Sequence, residues 1–358
     1  MIPFWRRLAD RLLGRGESAV TVPAMDGALQ PNTLLDQARV LETALEPDNL
    51  VRWQGGLLYT SGPDIRRVGQ DAPLHRLPAP VACLAAWGDE TLLAGLADGS
   101  LLVCAGALDG TRHTHWAAGR PMACPTALWL QDARTVLVAE GSSRNAPADW
   151  QLDLMQRNAL GSVWRLDLDT GQATQLADRL AWPAGLAGDG QGRVLVSESW
   201  RHRVIRLPAQ PGVAAAEVLG DLPAYPGRLV PGPQGGFWLA LYAPRSQLVE
   251  LVLRETRYRN DMLRELERDH WICPALSGKR SFKEPLQRGG LKQMGILKPW
   301  APSRSYGLAL YLDADLNPVH GKHSRADGRR HGITSLLEHE GTLYAASRGG
   351  DMILAMEP

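Results

Sequence analysis

Gly192-Arg193-Val194-Leu195-Val196-Ser197-Glu198-Ser199, with Arg203-Val204-Ile205-Arg206-Leu207 a few residues later, is the stretch that decides the fold. A glycine turn leads into a short apolar strand, and a second, alternating strand answers it. The same opening occurs six times. Its other copies are Gly55-Gly56-Leu57-Leu58-Tyr59, Asp89-Glu90-Thr91-Leu92-Leu93 and Asp132 to Val138, then Gly235-Gly236-Phe237-Trp238-Leu239 and Glu340-Gly341-Thr342-Leu343-Tyr344. Short strands at this spacing, with no helices between them, do not build a parallel α/β sheet. Radial repetition of four-stranded sheets accommodates them and leaves only short edges exposed. The sequence therefore reads as all-β: a six-bladed β-propeller over residues 21–358, preceded by a segment of its own, 1–20.

Before each copy lies a less polar stretch suited to the innermost strand of its blade. These stretches begin near Asp48, Val81, Thr126, Gly185, Arg228 and Ile333. In a propeller such starts surround one mouth of the central channel, which is where a ligand would meet the protein. Asp48, Trp182, Tyr225, Arg228, His331 and Thr334 all fall in or beside this ring. The candidate catalytic groups are Asp48, the one obvious acid in the ring, and His331, whose ordinary pKa suits a general base. An equal alternative for His331 is a hydrogen-bonding cap on the strand that follows. Guanidinium groups at Arg228, Arg304 and Arg348 would favour a carboxylate or phosphate, and Trp182 and Tyr225 would wall the pocket.

The fifth blade is interrupted between Tyr242 and Tyr306, an insertion of residues 243–305. Its first part, Arg245 to Asp269, has Leu248, Val252, Met262, Leu263 and Leu266 mostly at helical spacing. Its second part is loop-like and carries Trp271, Lys283, Gln287, Lys292, Lys298, Trp300 and Arg304. Insertions this long in compact domains are functional or disordered. Apolar content argues for a partly helical lid beside the channel mouth, with Arg304 and Tyr306 among its ligand contacts.

Composition narrows the partners. With 39 basic and 38 acidic residues, the formal charge of +1 gives no basic excess for nucleic acid. Gly 37 and Pro 25 indicate many turns, and 12 Trp against 3 Phe suit many small sheets packed together. Cys83, Cys104, Cys124 and Cys273 include no CxxC pair, so metal and redox spacings are absent. A disulfide among the first three stays open, but free core thiols and a cytoplasmic location are the expectation. No apolar run reaches the ~18–20 residues of a membrane span. Met1 to Gly16 places Trp5, Leu8, Leu12 and Leu13 at helical spacing among Arg6, Arg7, Arg11 and Arg15. This amphipathic helix would dock on the domain or make peripheral contact with a membrane surface.

The stretch from Val138 to Leu241 resembles the strictosidine synthase-like family, within the six-bladed propeller group of paraoxonases, gluconolactonases and adipocyte plasma-membrane-associated protein. Glu140-Gly141-Ser142-Ser143, Trp182-Pro183-Ala184-Gly185, Val194 to Ser199, Asp221 to Pro226 and Gly235-Gly236-Phe237-Trp238 carry the likeness, as does the tail from Glu338 to Leu354. Metal-binding members show Pro-Asn-Gly where this chain has Pro183-Ala184-Gly185, and Pro-Asp-Asn where it has Pro226-Gly227-Arg228. Calcium takes six to eight oxygens, so the expectation is no metal and no other cofactor. The resemblance also places a catalytic glutamate of strictosidine synthase at a position matched here by Thr334. A hydroxyl at its ordinary pKa does not take up a proton, which argues against the name-giving condensation.

Three functions follow. The first is metal-independent hydrolysis of an ester or lactone, or a related condensation, on a small organic molecule. The second is a binding protein that keeps the pocket without the chemistry. The third is an interaction platform at a membrane surface. Trp182, Tyr225 and His331 favour the first two.

Overall fold

The structure, a computed structural model, describes residues 21–116, 119–208, 215–278 and 304–358, with the backbone of two short strands at Lys292–Gln293 and Ile296–Leu297. The expected amphipathic helix of residues 1–16 lies outside the described residues. So do Lys283, Gln287, Lys298 and Trp300 of the insertion.

Six four-stranded antiparallel sheets form a ring. Their innermost strands are Asp48–Trp53, Val81–Trp87, Pro125–Leu130, Pro183–Gly188, Ala224–Pro231 and Ile333–His339. Each packs against the next, and the sixth against the first, so the ring closes. The sixth sheet takes Ile333–His339, Thr342–Ser347 and Met352–Met356 from one end of the chain. Its outermost strand is Arg39–Thr43, from the other end. The fold is a six-bladed β-propeller.

Burial explains the repeat. The second strand of a blade lies between neighbouring sheets and buries both faces, so it reads as a continuous apolar run. Thr91–Leu96, Val194–Glu198 and Phe237–Pro244 are buried at every residue. Between the third and fourth blades, Leu137, Ala139, Val163, Leu186, Val196 and Ile205 form one apolar cluster. All four cysteines are buried and free, so no disulfide staples the ring.

Each innermost strand carries a register shift within its first few residues: Asp48/Val51, Val81/Cys83, Pro125/Ala127, Pro183/Gly185, Pro226/Leu229 and Ile333/Ser335. A bulge frees backbone groups from the ladder and re-aims side chains. Hydroxyls meet several freed carbonyls: Thr126 Oγ1 donates to Pro183 at 2.5 Å and Ser197 Oγ to Gly227 at 2.5 Å. At Gly185 an added Cβ would lie 2.5 Å from the Gly227 carbonyl oxygen, so glycine permits the close approach of blades four and five.

Strand direction alternates, so the connections from second to third strands rise on the face where the innermost strands begin. In blade three this connection holds the helix Trp150–Gln156. In blade five the second strand ends at Pro244 and the third begins at Leu308. Between them run the helices Gln247–Arg254 and Thr256–Glu265. Ser246 Oγ caps the first by accepting from the Val249 N–H at 3.3 Å. Leu154 and Met155 of blade three pack with Val249, Val252, Met262 and Trp271, fixing the insertion to that face. Among the described residues no helix is long and apolar enough to cross a membrane.

Candidate ligand site at the channel mouth

A cavity of about 170 Å3 opens at the mouth. That is close to the ~150 Å3 that accommodates a benzene ring in an engineered apolar core. Asp48, Arg228, Thr334 and Arg348 line one side, from blades one, five and six. Trp150 and Trp182 line the other, from blades three and four, which stand across a six-bladed ring from six and one. Tyr242, Thr126 and Leu276 complete the wall. The carbonyl of Leu276, in the insertion, lies where a Cβ on Gly349 or Gly332 would be. Two glycines of blade six thus let the insertion reach the cavity.

Asp48 is the centre of the polar side. Its Oδ1 accepts from the Asn49 N–H at 2.8 Å, the Thr334 hydroxyl at 2.8 Å and Arg228 Nη1 at 2.7 Å. Arg348 Nη1 stands 3.6 Å from Oδ2. Arg228 also donates to the carbonyls of Thr334 at 3.0 Å and Ala82 at 2.8 Å. One guanidinium on blade five thereby holds groups of blades one, two and six. It also faces a second, apolar cavity of about 380 Å3 inside the channel, so its side chain forms the floor between the two spaces.

This arrangement does not fit a calcium ion. The guanidinium fills the centre of the ring beside a single carboxylate, and Ala184 and Gly227 supply no side-chain oxygen. Among the described residues, no group of three or more His, Cys, Asp or Glu is placed to hold a metal.

The aromatic side is built in layers. Trp182 stacks on Trp200 with ring centroids 5.3 Å apart, and Trp200 on Trp150 at 6.3 Å. Trp200 Nε1 donates to the buried Asp153 at 2.9 Å. Trp182 has φ 59°, a left-handed conformation that costs a bulky residue about 1–3 kcal/mol and recurs at functional sites.

Four expected site residues lie elsewhere. Tyr225 is fully buried between His202 and Tyr242 and does not line the cavity. His331 is a packing residue: Nδ1 lies 2.8 Å from Ser305 Oγ and Nε2 2.9 Å from the Arg325 carbonyl. A carbonyl only accepts, so Nε2 carries the proton and Nδ1 takes the serine hydroxyl, leaving no nitrogen for a substrate. Arg304 donates from Nη1 to the Asp269 carbonyl at 3.1 Å, inside the insertion. Tyr306 is buried with its hydroxyl 3.2 Å from His323 Nδ1.

That last pair carries a pH prediction. Burial pushes His323 down to about 4 from 6.5. The unfolded chain then binds the extra proton, so stability is full above about pH 6.5 and is lost as pH falls toward 4. The difference is worth roughly 3 kcal/mol at most. Urea unfolding from neutral to mildly acid pH should show that slope, and His323→Gln should flatten much of it. An unchanged slope in the variant would refute the assignment.

Trp150, Tyr242 and Leu276 were not expected at the mouth. Trp150 opens the helix Trp150–Gln156 of a connection, where strand periodicity gives no phase. Tyr242 lies two residues before the end of a uniformly buried strand, Phe237–Pro244.

No family model matches the chain. Protein strictosidine synthase-like 10 of Arabidopsis thaliana is 25% identical over 151 residues, 41% of this chain and 40% of that protein. The chain thus spans about two fifths of the length of that curated relative. A gluconolactonase from Xanthomonas campestris superposes with a TM-score of 0.55 at 16% identity, over 94% of this chain and 95% of that one. A second solved structure, of a putative gluconolactonase, gives 0.52 at 13%, over 89% and 91%. The likeness is to that superfamily of six-bladed propellers. At these identities the solved structures share the fold, and the strictosidine synthase-like resemblance rests on sequence.

Proposed function

We propose that the channel mouth binds a small, flat or cyclic organic molecule bearing a carbonyl, and that the protein hydrolyses an ester or lactone there. One observation carries this reading: an acid and two guanidinium groups on one side of a small cavity face a tryptophan wall on the other. Stacking would hold the ring, and the charged side would orient the carbonyl. Asp48 Oδ1 is fully engaged, so Oδ2 is the atom that would take a proton from water as it attacks the carbonyl carbon. Arg348, which lines the cavity with Nη1 3.6 Å from Asp48 Oδ2, would donate to the developing oxyanion. The tetrahedral species collapses with departure of the alkoxide, which recovers the proton.

The strictosidine synthase-like resemblance gives this reading further support. It implies an acid at the position of Thr334, and the Thr334 hydroxyl here donates to Asp48. A carboxylate is thus supplied at that point from the neighbouring blade. A panel of lactones and aryl esters tests the proposal. Turnover is expected, and Asp48→Asn should lower kcat by about a hundredfold or more while KM changes little. Turnover that survives Asp48→Asn would overturn it.

A second reading, a binding protein without turnover, is favoured by the three donors already on Asp48 Oδ1. Calorimetric binding of panel members with no hydrolysis would select it.

A further inference from the structure

We propose that the apolar cavity inside the channel binds a straight-chain aliphatic carboxylate, entering from the face opposite the mouth. This space measures about 380 Å3 and shares only its Arg228 floor with the mouth cavity. Every blade gives it a leucine from the innermost strand: Leu50, Leu84, Leu128, Leu186, Leu229 and Leu337. Among the described residues no acidic side chain lines it. Along blade two it runs from Cys83 to Trp87, which at ~3.3 Å per residue makes it about 13 Å deep. At its far end Arg52, Trp87 and Pro231 are exposed, so the space reaches solvent there.

Shape and polarity together select a chain. Each innermost strand is the edge of its sheet, so backbone groups outside the ladder face the channel between the side chains. Such groups need water or another partner. A broad apolar ligand filling the space would strip that water away and leave them unsatisfied. A narrow alkyl chain along the axis lies against the leucines and leaves water at the strand edges.

The rim supplies the head group. Arg52 lines the opening and is exposed. It donates from Nη1 to the Gly55 carbonyl at 3.3 Å and makes no ion pair among the described residues. Asp89 and Glu338, near the same end, stay outside the lining and accept from the Gln54 N–H and Trp238 Nε1. A carboxylate matches a guanidinium with two oxygens at once. Beside Arg52 on the rim stands Trp87, 41% exposed, an apolar surface over which the first methylenes would pass from water into the channel.

Equilibrium dialysis of the full chain against labelled hexanoate, octanoate, decanoate and octan-1-ol tests this. Uptake should saturate at one molecule per chain, and each added methylene should tighten binding about fourfold until the space is filled. Arg52→Gln should weaken octanoate about tenfold and spare octan-1-ol. Ala86→Phe, at a partly buried position on the wall, should weaken all four ligands. If that variant does not fold, the chain-length series and Arg52→Gln decide alone. Absence of saturable decanoate uptake, affinity that does not rise with chain length, or octanoate binding indifferent to both substitutions would overturn the site. Octanoate weakened by Ala86→Phe but not by Arg52→Gln would overturn the head-group assignment.

Discussion

Replacing Arg228 with methionine should lower the free energy of unfolding by about 3 kcal/mol, the scale for removing one partner of a buried ion pair. The substitution strands Asp48, whose side chain is 9% exposed, and leaves the carbonyls of Ala82 and Thr334 without their donor. Methionine keeps much of the volume, so the loss reports on charge and hydrogen bonding rather than on a void. Adding Asp48→Asn to the methionine variant should recover a good part of the loss, because the stranded charge is then gone. Arg228→Lys should fall between, since one ammonium does not reach three acceptors on three blades. Urea melts of the four proteins decide the matter. A loss under about 1 kcal/mol, the level of an exposed pair, would mean that Arg228 is not what holds the channel together. Because that side chain also floors the mouth cavity, the methionine variant should weaken any mouth ligand as well.

Glu140→Ala should cost a comparable or larger amount, about 3–5 kcal/mol. Glu140 is wholly buried at the end of the second strand of blade three. It accepts from Trp116 Nε1 at 2.9 Å, Ser162 Oγ at 2.9 Å, the Ala123 N–H at 3.1 Å and Arg120 at 2.6 Å. One carboxylate thus satisfies four donors where blade two hands over to blade three. The stacked pair Trp116 and Trp164, 4.9 Å apart, lies beside it, so near-ultraviolet circular dichroism should change with stability. Glu198 repeats the device one blade later, accepting from the Ala181 N–H at 2.7 Å and Arg203 at 2.6 Å. Wild-type melting in Glu140→Ala would show that water replaces the carboxylate at no cost.

The repeat was legible because each second strand is buried on both faces and each is introduced by a turn. Innermost strands start within a few residues of the positions read from the sequence at Asp48, Val81, Thr126 and Ile333. Asp48, Trp182, Arg228 and Thr334 meet at one cavity, as their places in the ring imply. Whether they bind a ligand is for the experiments above. Tyr225 and His331 show where such reading stops. Nearness to a strand start alone assigns both to the mouth, and it sets neither the face of Tyr225 nor the path of His331, two residues ahead of its strand. Every innermost strand also carries a register shift at that end, and nothing in the local sequence marks it. Trp150 and Leu276 reach the mouth from long connections, whose path is set by packing rather than by period.

The pairing of Arg39–Thr43 with Met352–Met356 has a consequence for how the protein is made. Thr43 leaves the ribosome roughly 300 residues before its partner strand exists. During that interval blades one to five have all their own strands, yet the row stays open, with an unguarded flank at each end. Such flanks are exposed apolar sheet faces, and the unpaired Arg39–Thr43 is meanwhile an open strand edge; both favour association with other chains. Late synthesis of the three strands Ile333–His339, Thr342–Ser347 and Met352–Met356, the last of which pairs with Arg39–Thr43, therefore closes the circle and removes both flanks together. Mutations that weaken the clasp, at Val40 or Leu354 for example, should show first as poor recovery from cells and only later as lowered stability of the finished ring.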